Sequence, residues 1–298
     1  MDVDTRLLRA FRAVAEEGHL TRAAARLHVS QPALTKRIRL LEQQLDARLF
    51  TRTATGMTLT APGEALAASA QTVLDALDAA LAAVRAAEAE ASKVLRIGFL
   101  ASAANERTQP ILASFRERRP DWRVELRQAG WDDPIAGLAS GDVAAAFLRV
   151  PFPRQSEFRV LTLFSEPRCI AMSTAHPLAG RDELRFEELL DEPFVAAPGA
   201  TGAFRDHWLA VDSRGGRPVR VGAVTALPDD WLTAIAGGDG IALAPESAAR
   251  YYARPDIVYL PVTGVAPTTV ALAWPEPPPE DSPLADFIRA AMDHADPS

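Results

Sequence analysis

Residues 20–49, LTRAAARLHVSQPALTKRIRLLEQQLDARL, read as two short helices joined by a tight turn, with the second built to enter a DNA groove. Leu34, Ile38, Leu41 and Leu45 recur every three or four residues and mark one inward-facing side of that second helix. Pro32, Thr35, Lys36 and Arg39 fall on the other side, which is polar and basic. Ser30 or Gln31 supplies the cap, and Pro32 stands in the first turn, where a missing N–H costs nothing. Upstream, Ala23, Ala24 and Leu27 give the first helix a small-residue face, so the two helices can cross closely in a helix-turn-helix.

Around this stretch the charge is divided unevenly. Residues 1–61 carry ten basic against six acidic side chains, a surplus of +4, although the 298-residue chain totals −7, which leaves −11 for the remainder. The positive end is where phosphates would be met, and the acidic body stays off DNA. Length implies two or three domains. No apolar run reaches the length of a membrane helix and the first ten residues lack a signal-peptide core, so the reading is cytoplasmic with no membrane partner. Cys169 cannot close a disulfide within the chain and reads as a small buried residue in a strand over 168–173 rather than a sensor thiol.

The run Ala23-Ala24, Leu27, Ser30-Gln31-Pro32-Ala33, Ile38, Leu41-Glu42, Leu49-Phe50, Arg52, Leu59-Thr60 and Gly63 resembles the N-terminal signature of the LysR-type transcriptional regulators. The resemblance implies an all-α winged helix-turn-helix, a long linker helix, and an α/β two-lobed effector domain similar to periplasmic solute-binding proteins. It implies double-stranded DNA and a small-molecule effector as partners, and self-association as homodimers and homotetramers, with RNA polymerase as a further partner. With a single cysteine, the paired-cysteine redox switch of some family members is ruled out. Gln31, at the helix tip with an amide that pairs with adenine edges, is the expected base reader, followed by Thr35 and Lys36. Ser30, Arg39 and Arg52 are expected on phosphates, beside Pro32. Three positions depart from the family pattern: Asp46 for a glycine after the recognition helix, Pro62 for alanine, and His19 for a serine that would cap or touch phosphate. Aspartate tolerates the left-handed conformation, so the turn should survive.

Outward from the motif, residues 5–17 form a helix whose Leu7, Leu8, Phe11 and Val14 close a three-helix core before Gly18 breaks it. Arg9 and Arg12 lie near its outer side, as a solvated face or as phosphate contacts. Residues 51–60 suit a two-stranded wing carrying Arg52. Thr60 then caps a helix from 62 to about 90, roughly 43 Å long. Its seam of Leu66, Ala70, Val73, Leu77, Leu81 and Val84 is too long for the DNA-binding domain to cover, so two copies should pair through it, antiparallel as the resemblance implies.

From residue 94 strands alternate with helices: strands over 94–100, 123–128 and 143–149 with helices over 109–118 and 134–140, then strands over 194–196, 219–223 and 240–245 with helices over 199–210 and 228–236. That is the pattern of parallel sheets flanked by helices. Two crossings, near 158–164 and 265–270, and a last helix over 283–294 give two lobes and a cleft. The domains are then 1–61, 62–91 and 92–298, with lobe one about 92–162 and 268–298 and lobe two about 163–267. The segments at 138–142, 176–179 and 238–245 also fit the family's pattern.

A ligand collects at the carboxyl ends of such strands. Lobe one offers Ser102, Ala103, Gln128 and Arg149; lobe two offers Pro198, Gly199, Thr201, Gly202 and Thr225. The expected ligand is an organic acid or similar metabolite, with Arg149 as counter-ion. The alternative for Arg149 is a surface pair with Asp132, Asp133 or Asp142. Trp131 lines the mouth or packs as a core aromatic. No catalytic residue, metal or cofactor is expected, because the chain has no G-x-S-x-G, H-E-x-x-H or P-loop and its five histidines are scattered. The competing readings are a solute-binding protein and an enzyme fused to a DNA-binding head.

Overall fold

The computed structural model describes residues 3–296 apart from His28, Ala54 and Thr55. It divides into two compact units, Met1–Val84 and Arg85–Ser298.

The first unit opens with α1 (Thr5–Glu17), capped by the Asp4 carboxylate on the Arg6 N–H at 2.8 Å and closed at Gly18, whose φ is 60°. The second helix, α2 (Leu20–Arg26), starts at His19 with no side-chain cap, the consequence expected of histidine at that position. In α3 (Gln31–Leu45) Ser30 Oγ accepts from the Ala33 N–H at 3.3 Å, and Asp46 ends the helix in the left-handed region at φ 48°, as its short polar side chain allows. Leu34, Ile38 and Leu41 sink into a core with Phe11, Val14, Ala23 and Ala24. Strands β1 (Phe50–Thr53) and β2 (Gly56–Leu59) pair antiparallel as the wing, while its tip, Ala54-Thr55, lies outside the described residues. Gly56 is obligatory: its φ is +145° and a Cβ there would fall 2.3 Å from the Gly18 carbonyl oxygen.

Helix α4 (Ala61–Ser92) is capped by Thr60 Oγ1 on the Gly63 N–H at 3.1 Å. The structure corrects one expectation here. By length and composition this helix is apolar enough to cross a membrane, because its many alanines, each only weakly apolar, add up over its length. Along the expected seam Ala70 is buried, Leu66 and Leu77 are half-buried, and Val73, Leu81 and Val84 stand 51%, 43% and 67% exposed, while Leu74, outside it, is buried by its own unit. Arg9 is exposed, as a solvated face requires, and there it pairs with Asp78 at 2.7 Å.

In the second unit the order is β3 (Val94–Leu100), α5 (Gln109–Arg118), β4 (Arg123–Ala129), β5 (Ala145–Val150), β6 (Arg159–Glu166), β7 (Arg168–Ser173), β8 (Leu184–Arg185), β9 (Pro193–Ala196), α6 (Ala203–Trp208), β10 (Arg220–Val224), α7 (Pro228–Ala236), β11 (Ala242–Pro245), α8 (Ala248–Tyr251), β12 (Ile257–Thr263), β13 (Thr268–Trp274) and α9 (Pro283–Asp293). One sheet runs β4-β3-β5-β13-β6 and another β11-β7-β12-β8, with β9 and β10 paired beside them. The chain leaves the first sheet after Glu166 and re-enters it at Thr268, whose backbones pair with each other. Strand β6 thus stays in the first sheet past residue 162.

Several local expectations are corrected. Neither sheet is purely parallel: β13 runs antiparallel to β5 and β6, and β7 antiparallel to β11 and β12. The pairing β12 makes was missed because Pro261 interrupts its apolar run. Residues 134–140 form successive turns rather than a helix, since Ala136 and Gly137 both take positive φ, 49° and 84°. The helix expected over 199–210 is a short turn, Gly199–Thr201, and then α6, because Gly202 at φ 49° breaks it.

Candidate nucleic-acid interface and ligand cavity

Helix α3 presents Gln31, Pro32, Thr35, Lys36, Arg39, Leu40 and Gln43 along one shallow groove. The cations of the first unit sort into two groups. Arg6, Arg9, Arg12, Arg22, Arg26 and Arg48 pair with Asp4, Asp78, Glu16, Glu17 and Glu42, whereas Lys36, Arg39 and Arg52, exposed, and Arg37, half-buried, have no ion-pair partner among the described residues. Unpaired guanidinium and ammonium groups on one helix and its adjoining wing are what a phosphate backbone needs.

The hydroxyls are partly committed. Thr35 Oγ1 donates to the Gln31 carbonyl at 2.9 Å, so it offers a neighbour only its lone pairs. Ser30 Oγ accepts its capping bond and keeps its proton for donation. Gln31 Oε1 accepts from Thr21 Oγ1 at 3.4 Å, which steadies the amide at the helix tip. Leu40, 43% exposed on the same face, was not anticipated; the periodicity that marks the buried side passes over a lone apolar residue on the other. Glu42 was read only as part of a signature, yet it is 9% exposed and its Oε1 accepts from the Leu49 N–H at 2.8 Å. That bond ties the end of α3 to the first wing strand.

In the second unit a cavity of about 640 Å³, its open mouth included, lies between residues of the two sheets. Ser102, Trp131 and Arg149 line it, as expected from the strand ends. Arg149 is 4% exposed. Its Nη2 donates to Ser102 Oγ at 3.0 Å and to Glu166 Oε1 at 2.9 Å, while Nη1 is buried with no partner. The acid beside it is therefore Glu166 rather than Asp132, Asp133 or Asp142. Glu166 Oε2 also accepts from the Ser247 N–H at 2.8 Å, so one carboxylate joins β5 to the turn after β11. Burial lowers the Arg149 guanidinium pKa, and the Glu166 charge opposes that.

The other expected positions do not line the cavity. Ala103 is fully buried in the core around Phe115 and Phe147. Gln128 faces a separate groove with Arg127 and Asp133, since an edge strand turns alternate side chains outward. Pro198, Gly199 and Gly202 lie beyond it, Thr201 donates its hydroxyl to the Pro198 carbonyl at 2.7 Å, and Thr225 Oγ1 is buried without a partner elsewhere. The helix breaks at Gly202, and with α6 starting at Ala203 it is Phe204 and Trp208, rather than the turn before them, that line the cavity from this stretch. Trp231, Leu243 and Tyr252 complete that side and were not anticipated.

Two further groups are perturbed nearby. His207 is pushed down to about 4, by burial first and by the Arg168 charge second. The Cys169 thiol is pushed up to about 12 by burial. Among the described residues no group of three His, Cys, Asp or Glu side chains is placed to hold a metal.

Residues 5–64 match the family model of bacterial regulatory helix-turn-helix proteins of the lysR family, and residues 88–296 match the LysR substrate binding domain. The uncharacterized HTH-type transcriptional regulator YnfL of Escherichia coli (strain K12) is 40% identical over 198 residues, 65% of this chain and 66% of YnfL. The HTH-type transcriptional regulator ShiR of Corynebacterium glutamicum (strain R) is 31% identical over 264 residues, 87% of this chain and 88% of ShiR. Full-length CbnR, solved in complex with its target DNA, shares the fold at a TM-score of 0.54 and 24% identity, covering 99% of this chain and 100% of CbnR. With both of its regions accounted for, the chain belongs to the LysR family of transcriptional regulators, a DNA-binding helix-turn-helix followed by an effector-binding domain.

Proposed function

We propose that two copies of this regulator, and in turn pairs of dimers, lay their α3 helices in successive major grooves, about 34–36 Å or a small multiple apart. Gln31 reads a base edge, with Thr35 and Lys36 beside it, while Ser30, Arg39 and Arg52 hold phosphates and Pro32 sets the helix start. The observation that carries this is the group of exposed, acid-free cations on α3 and the wing. The likeness to CbnR, solved with its target DNA, supports it. Dimers form through the exposed part of α4, where Val73, Leu81 and Val84 have no cover of their own. Such a protein works in the cytoplasm, with the DNA it reads.

The cavity beside Arg149 and Ser102 takes a small organic acid, and its occupancy shifts the balance between arrangements of the second unit. Family membership, rather than missing motifs, decides against the solute-binding and enzyme readings. The test is binding to DNA flanking the protein's own gene, compared with random DNA. Arg39→Ala and Arg52→Ala should each lower the salt slope by roughly 0.9, whereas Gln31→Ala should keep the slope and relax sequence discrimination. Undiminished discrimination by Gln31→Ala refutes the base-reading role.

A further inference from the structure

The cavity's lining is chemically lopsided. Five aromatic rings face it, from Trp131, Phe204, Trp208, Trp231 and Tyr252. They are already arranged edge to face, Trp131 on Trp231 at 5.9 Å and 90°, Phe204 against Trp208 at 6.4 Å and 69°. That preference of ring edge for ring face would extend to a guest ring. Apart from them the walls are aliphatic, and Arg149 is the one charged residue in the lining.

At the polar end the hydrogen bonds leave one opening. Arg149 Nη2 is taken by Ser102 and Glu166, so a guest cannot be gripped by the whole guanidinium fork. Nη1 is buried and unpartnered, and it suits a single acceptor oxygen. Glu166 itself is filled by Arg149 and by both the N–H and the hydroxyl of Ser247. Behind the same wall Arg168 donates to the carbonyls of Ala266 and His207, both at 2.6 Å; among the described residues no carboxylate lies within hydrogen-bond reach of it, and Asp212 acts on it only through its field. His207 lies in the field of both guanidiniums. Arg149 is thus the one cation among the lining residues and its Nη1 the charged donor left without a partner, while the rest of the lining offers an anion only neutral donors, the hydroxyls of Ser102 and Tyr252 and the indole N–H groups of Trp131, Trp208 and Trp231.

We infer that the ligand is an aromatic monocarboxylate, with one carboxylate oxygen on Arg149 Nη1 and its ring among Trp131, Trp231, Phe204, Trp208 and Tyr252. This rests on the reading of the cavity as the effector site. A dicarboxylate would strand a charge against aliphatic walls, and inorganic phosphate would leave the rings bare.

The experiment is calorimetry together with tryptophan fluorescence on the full-length protein, using benzoate, phenylacetate, benzamide, succinate and inorganic phosphate as probes. Benzoate or phenylacetate should bind and perturb the fluorescence, with benzamide, succinate and phosphate at least tenfold weaker. Arg149→Gln should abolish the preference for benzoate over benzamide. Because that change leaves Glu166 buried without its cation, the pair Arg149→Gln with Glu166→Gln is measured alongside it. Phe204→Leu, which leaves the polar end intact, should weaken benzoate while sparing the carboxylate preference. Equal binding of benzamide and benzoate overturns the charge assignment, and tighter binding of succinate or phosphate overturns the aromatic one. If succinate wins, the organic-acid reading stands, and if phosphate wins, it falls as well; if none of the five probes binds, the inference fails, and a wider panel of organic acids with no binder takes that reading with it. DNA binding on the same preparations reports the first unit independently.

Discussion

Replacing Glu42 by alanine isolates the joint between the recognition helix and the wing. The carboxylate is 9% exposed and accepts from the Leu49 N–H at 2.8 Å, from the Phe50 N–H at 3.4 Å and from Arg48 Nη1 at 3.4 Å. Leu49 is itself 1% exposed, so its N–H has no water to turn to when the acceptor is removed. A hydrogen bond to a charged group contributes about 1.5–3 kcal/mol, and orphaning the buried donor falls in the same range rather than adding to it. The Phe50 contact is too long to weigh heavily, and the Arg48 pair, 82% exposed on the arginine side, adds well under ~1 kcal/mol. The expected loss is therefore about 2–3 kcal/mol, a large part of what a unit of this size holds. At ~4–8 °C per kcal/mol it moves the unfolding midpoint down by about 10–20 °C. All five tryptophans lie in the second unit, so far-UV ellipticity and tryptophan fluorescence can be followed separately. The ellipticity transition should split, with its lower part displaced and the fluorescence transition in place. Glu42→Gln, which keeps an acceptor oxygen, should lose about half as much. A midpoint within about 2 °C of the parent for Glu42→Ala would refute the assignment of the bond as the tie between helix and wing.

At Gly63 a Cβ would stand 2.2 Å from the Leu49 carbonyl oxygen, which is backbone and cannot step aside, so Gly63→Ala should cost about 1–3 kcal/mol and weaken DNA binding through the displaced wing; an unchanged midpoint by calorimetry contradicts this. Leu81→Glu combined with Val84→Glu removes four apolar side chains from a paired α4, each contributing ~1.5–3 kcal/mol, and should turn the dimer into monomer at micromolar concentration by sedimentation; an intact dimer places the interface elsewhere. Cys169, pushed up to about 12 where a free thiol sits near ~8.5, carries on the order of a thousandfold less thiolate at pH 8. Its alkylation should therefore wait for unfolding, and prompt labelling of the native protein would contradict its burial.

How much was legible in the chain follows from how far each signal reaches. The helix-turn-helix rests on spacings within 30 residues, on Ser30 before Pro32 and on Asp46 after the last turn, and these are local: cap, periodicity and left-handed stop act over three or four bonds. Membership of the family was readable for the same reason. The alternation from residue 94 exposed the two-lobed α/β plan, and Ser102, Trp131 and Arg149 could be placed because strand ends converge in such folds.

What the chain did not disclose was decided by partners distant in sequence. That Arg149 faces Glu166, that Glu42 holds the Leu49 N–H and that Arg9 meets Asp78 depend on which surfaces come together, and no local periodicity encodes it. The aromatic wall was hidden because Phe204 and Trp208 sit on α6, which begins only after the break at Gly202, while Trp231 on α7 and Tyr252 after α8 are brought to the same cavity from stretches distant in sequence. The face of α4 that its own unit covers was likewise settled by packing: the repeat allows Val73 or Leu74 to be buried, and only contact with the rest of the unit selects Leu74 beside Ala70 and leaves Val73, Leu81 and Val84 exposed.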